Sequence, residues 1–438
     1  MPYSYLLSIF IRLLIYTIVI LYSSFEESPE MLLSLAIVAN LSIIFKTYRS
    51  LPILLMFLFF LTYIVNLIPF FFAGEYIFPY RPTKGFYETL QIHTIFLCIL
   101  DTFLRPIKKR LYINEKIPQT ENVFLYLSLC VLFVFFLIFG IRGDTVLDTG
   151  GYGQKGDTTG LGGLGEYFLI LIPLLYMYSG KSYVMKKVVH ILMLLMGIKL
   201  LLYGGRIGVL MMGLLYLIFY YDTRKNHISL FKILCYAIPV LYIFVLIGAI
   251  RGNIALALTS SWGELLLLPF RGDLLKTHIE FFGNQIDIFY SSTILNQAAL
   301  SDTLSIYTRL EMFFYNVLSL FVPYSWLPEK AAVVSYIQKN IASTGGGALI
   351  SAYSFFFLSY PGIILIGYYI ASLINKLQKS KNLHFILYCI IVLATYPRWF
   401  GYNIIGLFKI PFYIVILYAI IKRFSKIKIT LFNANTHR

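Results

Sequence analysis

Charged residues are scarce in this chain. Of its 438 residues only 13% are Asp, Glu, Lys or Arg, and 59% are hydrophobic, whereas a soluble globular domain carries about 25% charged residues. This composition excludes a water-soluble protein. The apolar stretches also lack the period-2 alternation of polar residues that is typical of an outer-membrane barrel, so helices are the spanning elements that we expect.

Cysteine and the common cofactor motifs are also lacking. The four cysteines all fall within apolar stretches, and neither a disulfide framework nor a Cys/His metal site is predicted. The sequence contains no Walker motif, D-x-D pair or H-E-x-x-H motif, and its two G-x-G-x-x-G patterns, at 151–156 and 160–165, do not follow a predicted strand as a Rossmann fingerprint requires. Chemistry that uses ATP, a nucleotide sugar or a metal ion is therefore unsupported, and we expect no cofactor.

Long apolar runs are what the sequence does have. They reach about 16 to 26 residues, enough to cross a hydrocarbon core of about 30 Å as a helix. The sequence thus predicts an all-α, polytopic integral membrane protein with about 12 transmembrane helices. The predicted spans are 4–24, 31–45, 51–73, 86–104, 122–141, 165–179, 189–204, 206–221, 231–249, 347–373, 383–397 and 404–421.

The basic residues predict the orientation of these spans, because Lys and Arg are retained on the cytoplasmic side. With both termini in the cytoplasm, alternate loops and the tail hold 21 of the 36 basic residues. The net charge of +16 is therefore a topology signal that suits anionic lipid headgroups, and we expect no nucleic-acid partner.

Two long segments are predicted outside the membrane. Residues 1–249 hold helices 1–9 and a loop at 142–164 that is rich in Gly, Asp and Thr; residues 250–346 form a large extracytoplasmic loop; residues 347–438 hold helices 10–12 and a basic cytoplasmic tail. Within the large loop, the stretches Ser261–Leu268 and Tyr307–Phe321 are amphipathic or too short to cross, which favours helices that lie at the membrane surface. In a protein whose other connections are short, a long loop tends to be functional.

Arginines at the outer ends of spans run against the charge bias of the other loops. Arg142, Arg206, Arg251 and Arg398 have this position, and Arg206 follows a Gly204–Gly205 pair. A guanidinium offers a fork of donors that suits phosphate oxygens, so several converging arginines would bind a diphosphate. Alternatively, each arginine snorkels to the lipid headgroups or pairs with a nearby acid.

The densest polar cluster of the large loop begins at Arg271 and continues through Asp273, His278 and Glu280. In a helix, Asp273, Lys276, Thr277 and Glu280 would share one face. Such a face could hold a general base and a phosphate-binding cation, or it could be a solvated surface with its own ion pairs.

Four outer aromatics, Tyr324, Trp326, Trp399 and Tyr402, either belong to the interfacial belt or stack on sugar rings.

The chain resembles the bacterial oligosaccharide repeat-unit polymerases, the family of O-antigen and capsule polymerases. The resemblance lies in about twelve spans, a late outer loop, the Gly-Gly-Arg turn at 204–206, an Arg142-x10-Gly153 spacing, and the glycine-rich stretch 343–347 that leads into Ser351-Ala-Tyr-Ser-Phe-Phe-Phe-Leu-Ser-Tyr-Pro-Gly362. In the family this late span typically reads E-x-Y-x-N-F-G-x-x-G. Here Ser351 replaces the acid, and no Asn-Phe-Gly follows it.

The resemblance implies a metal-independent glycosyl transfer between undecaprenyl-diphosphate-linked oligosaccharides on the periplasmic face of the bacterial inner membrane. Its implied partners are these lipids, a chain-length regulator and a flippase. The transfer needs cations on the departing diphosphate and a base for the acceptor hydroxyl. The candidates are Arg142, Arg206, Arg251, Arg271 and Arg398 for the diphosphate, and His278, Asp273 or Glu280 for the base.

Three alternatives remain open at this level. An O-antigen ligase would share the donor and the outer loop but would transfer to lipid A-core. A flippase or another transporter would place charges deep within several spans and would have two similar halves. A structural membrane scaffold would leave the outward arginines unexplained.

Overall fold

A computed structural model describes residues 3–68, 85–140, 166–202, 206–221, 261–267, 274–342 and 346–435, and four single positions between 235 and 246. Over these ranges every regular element is a helix and no strand occurs. The prediction of a helical protein is confirmed to that extent. The predicted outer loop at 142–164 lies outside the described residues.

Sixteen α-helices are described, some of them preceded or followed by short turns of 3-10 or π-helix. They are α1 Tyr3–Phe25, α2 Pro29–Thr47, α3 Leu51–Val65, α4 Phe86–Phe103, α5 Val123–Phe139, α6 Leu171–Tyr178, α7 Tyr183–Leu202, α8 Arg206–Tyr216, α9 Trp262–Leu267, α10 Leu274–Leu300, α11 Ile306–Leu318, α12 Val333–Asn340, α13 Ile350–Lys379, α14 Leu383–Ala394, α15 Tyr396–Gly401 and α16 Lys409–Asn435.

Four helical segments among the described residues are long and apolar enough to cross a membrane: Leu6–Phe25, Pro29–Thr47, Ile350–Lys379 and Ile404–Arg423. Five further apolar helices are shorter than 18 residues. Helix lies over eleven of the twelve predicted spans, and the ninth, 231–249, falls almost wholly outside the described residues. The apolar helices indicate a membrane-embedded protein, while the predicted number of crossings stays a prediction.

The chain divides into two compact units, and the first contains residues 1–111, 266–379 and 396–406. At its centre α4 packs against α1, α2, α10 and α13. The second unit contains residues 112–265, 380–395 and 407–438. There α14 packs against α16 and α8, and α5 packs against α6 and α7.

Helix α10 departs from the expected loop. The polar pattern of this segment suggests a helix around 273–280, but α10 runs for 27 residues, or about 40 Å at 1.5 Å per residue. From Ile286 to Ala299 most of its side chains are buried, against α3, α4 and α13. Its small polar residues explain why hydropathy did not reveal it: Ser292 and Thr293 bond the carbonyl four residues back, and Asn296 donates to Thr89 of α4.

Helix α13 is broken near its first third. Ser359 has φ 55° and ψ −146°, and Pro361 lacks the N–H that would continue the helix. The chain folds back closely at this break, because a Cβ on Gly362 would lie 2.1 Å from the Ser354 carbonyl oxygen. One carbonyl beside the break is satisfied from outside the helix: Arg309 Nη1 of α11 donates to the Phe356 oxygen at 2.9 Å.

An ion cluster joins α1, α2 and α4 in the first unit. Asp101 is fully buried; its carboxylate pairs with Lys46 Nζ at 2.8 Å and Arg12 Nη1 at 3.1 Å and accepts a hydrogen bond from Tyr16 at 2.8 Å. Lys46 also donates to the Asp101 carbonyl oxygen. Arg12, which the sequence places within the first span, therefore shares the carboxylate of one specific acid with Lys46.

Lys199, a second cation within an apolar stretch, has a different environment in the second unit. Its ammonium donates to the carbonyl oxygens of Leu137 at 2.6 Å and Ile138 at 3.0 Å, at the end of α5. Carbonyls in the last turn of a helix lack partners within the helix. This contact gives Lys199 a structural role that fits its place in the apolar run.

We expect Asp101→Ala to destabilise the protein by about 3–5 kcal/mol, because Lys46 would remain buried without its counter-charge. The double variant Lys46→Met with Asp101→Leu removes both buried charges and should lose much less, because the remaining cation, Arg12, is 38% exposed. Unfolding in mixed micelles, followed by helical circular dichroism, measures both.

Glu88→Ala, on the same helix but half-buried, serves as the control and should change stability little. Equal losses for the single Asp101 variant and the double variant would show that the cluster does not hold these helices together.

Candidate functional site

The eight predicted site residues fall into three groups. Arg142, Arg251, Arg271 and Asp273 lie outside the described residues. His278 and Glu280 belong to the first turns of α10, and their side chains are likewise outside the described set. Arg206 begins α8 in the second unit and Arg398 lies in α15 of the first unit, so the predicted convergence of arginines stays a prediction.

Arg398 lines a cavity of about 150 Å³ within the first unit. The wall is polar for a protein of this composition, and Arg398 is its charged member. Its other polar members are three tyrosines, two asparagines and a serine: Tyr324, Tyr353, Tyr402, Asn316, Asn403 and Ser335.

Packing of α15 against α3 determines where Arg398 lies. Phe400 stacks on Phe60 with ring centroids 3.6 Å apart, and Trp399 meets the same ring edge-on at 5.8 Å. Trp399 is fully buried, which rules it out as a sugar-stacking residue and assigns it to the core. Arg398 between these buried neighbours is half-buried at the cavity wall.

A chain of hydrogen bonds holds the tyrosines of the cavity. Tyr353 OH, in the first turn of α13, donates to the Tyr402 carbonyl oxygen at 3.0 Å. Tyr402 OH donates to Asn284 Oδ1 of α10 at 2.7 Å, and its ring lies 5.6 Å from the Arg398 guanidinium carbon. The aromatic faces and the cation are thus fixed relative to each other by α10, α13 and α15.

Gly347, in the glycine-rich stretch before α13, lies where a larger residue would clash. A Cβ there would lie 2.6 Å from Tyr402 Cα and 2.7 Å from the Gly401 oxygen, so only glycine lets the two backbones approach this closely. Two residues on, Leu349 N donates to Ser292 Oγ of α10 at 2.8 Å. Residues 347–349 are therefore packed between α10 and the segment that carries Arg398 and Tyr402.

The remaining wall comes from α11, α12 and the turns between them. Asn316 of α11 lines the cavity and donates to the Ala331 carbonyl oxygen at 3.4 Å. At the surface nearby, Lys330 bonds Glu311 at 2.9 Å. This hydrogen bond lowers the pKa of the Glu311 carboxyl and raises the pKa of Lys330, so the pair links α11 to the turn before α12 across the neutral pH range.

Sequence reasoning found Arg398, Tyr324 and Tyr402 but not the other residues that line the cavity. Tyr353 lies in the motif that carries the family resemblance, two residues after Ser351. Ser351 itself, at the position of the family's acid, is buried against His93 Nδ1 of α4 at 3.0 Å. Asn316 and Asn403 gave no sequence signal, because single amides in polar loops are common.

The wall can bind an anion or a polyhydroxylated ligand. Arginine provides a forked donor for phosphate oxygens, the amides and phenols provide neutral hydrogen bonds, and the tyrosine rings provide flat apolar faces. None of the described lining residues is Asp, Glu or His. A base for proton transfer would therefore have to come from outside this wall.

Gly347→Ala and Gly346→Ala form a matched pair. We expect Gly347→Ala to destabilise the protein by about 1–3 kcal/mol, since the new methyl group overlaps backbone atoms that cannot move aside. Gly346→Ala should be tolerated, because a Cβ at Gly346 meets nothing within 4 Å. Thermal unfolding in detergent compares the two, and equal effects would contradict the steric argument.

No protein-family model, curated protein or solved structure matches this chain. The family resemblance therefore rests on the sequence patterns that carry it.

Proposed function

We propose that the chain is a surface-polysaccharide polymerase, which joins undecaprenyl-diphosphate-linked oligosaccharide repeat units by glycosyl transfer on the periplasmic face of the bacterial inner membrane. One observation carries the proposal beyond the resemblance. A polar cavity with an arginine in its wall lies at one end of the apolar helix α13, where a membrane protein would meet a lipid-linked phosphate.

The charges of α13 support an extracytoplasmic cavity. Its last turn carries Lys376 and Lys379, whereas Tyr353 of the cavity wall lies in its first turn. Because basic residues are retained on the cytoplasmic side, the end with the cavity faces the periplasm. This orientation agrees with the proposed arrangement of twelve spans with both termini in the cytoplasm and with the segment 398–403 outside.

The wall suits the leaving group of the proposed reaction. The bond between the anomeric carbon of the donor sugar and the diphosphate oxygen breaks, and its electron pair leaves with the diphosphate. Arg398 is the described residue that would stabilise this charge, and the tyrosines and amides would hold sugar hydroxyls. Arg142, Arg206, Arg251 and Arg271 remain proposed additional cations.

The acceptor half of the reaction needs a base. The acceptor hydroxyl attacks the anomeric carbon and transfers its proton to a carboxylate or imidazole. Helix α10 supports a base on this side: Asn284 accepts the hydrogen bond from Tyr402, and His278 and Glu280 precede Asn284 in the same helix by six and four residues. These residues, with Asp273 just before the helix, are the proposed bases.

Two other functions share parts of this geometry. A ligase would use the same lipid-linked donor, and the cavity does not discriminate between the acceptors. A flippase needs charges available along a path through the membrane, whereas Asp101, Lys46 and Arg12 pair with one another and Lys199 bonds backbone carbonyls. These paired charges favour an enzyme over a transporter.

Deletion of the gene, followed by gel analysis of surface lipopolysaccharide and complementation, tests the function. For a polymerase we expect core capped with a single repeat unit, restored to a ladder by the cloned chain. Naked core with accumulated lipid-linked polymer would identify a ligase, and naked core without polymer would identify a flippase.

Arg398→Ala should lose the ladder at unchanged membrane abundance, because removal of one donor to a developing anion lowers a rate on the order of 10²-fold. Arg398→Lys should retain part of the activity, since it keeps the charge without the fork. Arg423→Ala, an exposed arginine of α16, is the matched control. A full ladder from the Arg398→Ala variant would remove the cavity from the proposed mechanism.

A further inference from the structure

Helix α11 has two different faces. Arg309, Met312 and Asn316 are buried, at the helical spacing of one face. The other side exposes large apolar residues, and the turns that follow α11 expose two more. The exposed fractions are 41% for Ile306, 82% for Tyr307, 41% for Leu310, 59% for Phe314, 63% for Phe321 and 79% for Trp326.

The length of α11 decides how such a helix can contact a membrane. Its 13 residues extend about 20 Å, which is too short for a hydrocarbon core of about 30 Å. A soluble surface rarely leaves so many large apolar side chains together in water. An amphipathic helix of this kind buries its apolar face at the boundary between headgroups and acyl chains.

The depth of α11 follows from its contacts with α13. Beyond the break at Ser359, α13 runs from Tyr360 to the lysines at its end, a stretch of about 20 residues that matches the hydrocarbon core. Helix α11 packs just before this stretch: Arg309 bonds the Phe356 oxygen at 2.9 Å, and the Phe313 and Phe357 rings lie 5.4 Å apart. It therefore lies at the level where α13 leaves the hydrocarbon.

Helix α13 also exposes large apolar residues. After the break, Ile364, Leu365 and Tyr368 are each at least 50% exposed, as expected of the lipid-facing side of a membrane-spanning helix. Both helices belong to the same unit and pack against each other. A lipid surface that covers α13 would reach the exposed side of α11.

We propose that α11, together with Phe321 and Trp326, is a membrane-surface anchor whose partner is the lipid bilayer at the boundary between headgroups and acyl chains. The anchor has a consequence for the cavity, because Asn316 on its buried face belongs to the cavity wall. The cavity is held at the depth of lipid phosphates, so a lipid-attached ligand reaches Arg398 without leaving the membrane. This anchoring does not depend on the proposed activity.

Trp326 is a native probe of this contact. The chain has three tryptophans, and the difference between the wild-type chain and its Trp326→Phe variant isolates the fluorescence of this one. In phosphatidylcholine vesicles that hold the full chain, we expect this difference signal to be quenched by lipids with a nitroxide near the glycerol backbone. Aqueous iodide and a nitroxide at the acyl-chain end should quench it weakly.

A second probe tests the helix itself. In the Trp326→Phe background, Phe314→Trp should show the same shallow quenching, whereas Asn340→Trp, on an exposed polar position of α12, should be quenched by iodide. Circular dichroism checks that each variant is folded. Iodide quenching of the Phe314→Trp variant equal to that of the Asn340→Trp variant would overturn the anchor, and so would strongest quenching from the acyl-chain end, which would place α11 inside the bilayer.

Discussion

A backbone carbonyl without a hydrogen-bond partner is costly at the edge of the hydrocarbon layer, and the structure around the cavity depends on how α13 meets that constraint. The positive φ of Ser359 and the missing N–H of Pro361 interrupt the helix. Arg309 supplies a donor to Phe356 from a second helix. The same contact that repairs the break fastens α11 to α13, and α11 and α13 then contribute Asn316 and Tyr353 to one wall. The break is therefore what lets an apolar helix long enough to cross a membrane end in a polar site.

Polar contacts also hold helix α1 in place. Lipid tails are as apolar as leucine, so hydrophobicity alone does not hold membrane helices together. Most of α1 is exposed, and its contacts with α4 are concentrated in two polar places: Arg12 and Tyr16 at Asp101, and Ser24 at Gln91. Because a polar group has few other partners in lipid, each contact also specifies the register of α1 on α4. Charges that look functional in the sequence are thus explained by helix assembly.

The sequence predicted the helices that hydropathy can detect and missed the one whose packing surface is small and polar. The segments that form α1, α2, α13 and α16 are so apolar that composition alone predicts these helices. Helix α10 is different: Ser291, Ser292 and Asn296 are buried, and residues of this kind are typical of loops in water but of close helix contacts in membranes. In the site, Arg398 was predicted because it lies at the outer end of a predicted span. The sequence did not separate Tyr402, which lines the cavity, from Trp399, which is buried in the core. The difference between Trp399 and Tyr402 depends on which side of α15 contacts Phe60. The order of residues in the sequence does not give this information.

The composition of the cavity wall limits the chemistry that can be assigned to it. One guanidinium among phenols and amides is equipped to bind an anion and to orient hydroxyl groups, yet it provides no group that takes a proton at neutral pH. A transferase built on this wall therefore needs a second component, and the Tyr402–Asn284 hydrogen bond indicates where it would be. At 1.5 Å per residue, the six residues from Asn284 back to His278 cover about 9 Å of helix. An acceptor bound along α10 and a donor diphosphate bound at Arg398 would then meet at the tyrosines between them, which hold the two components in place.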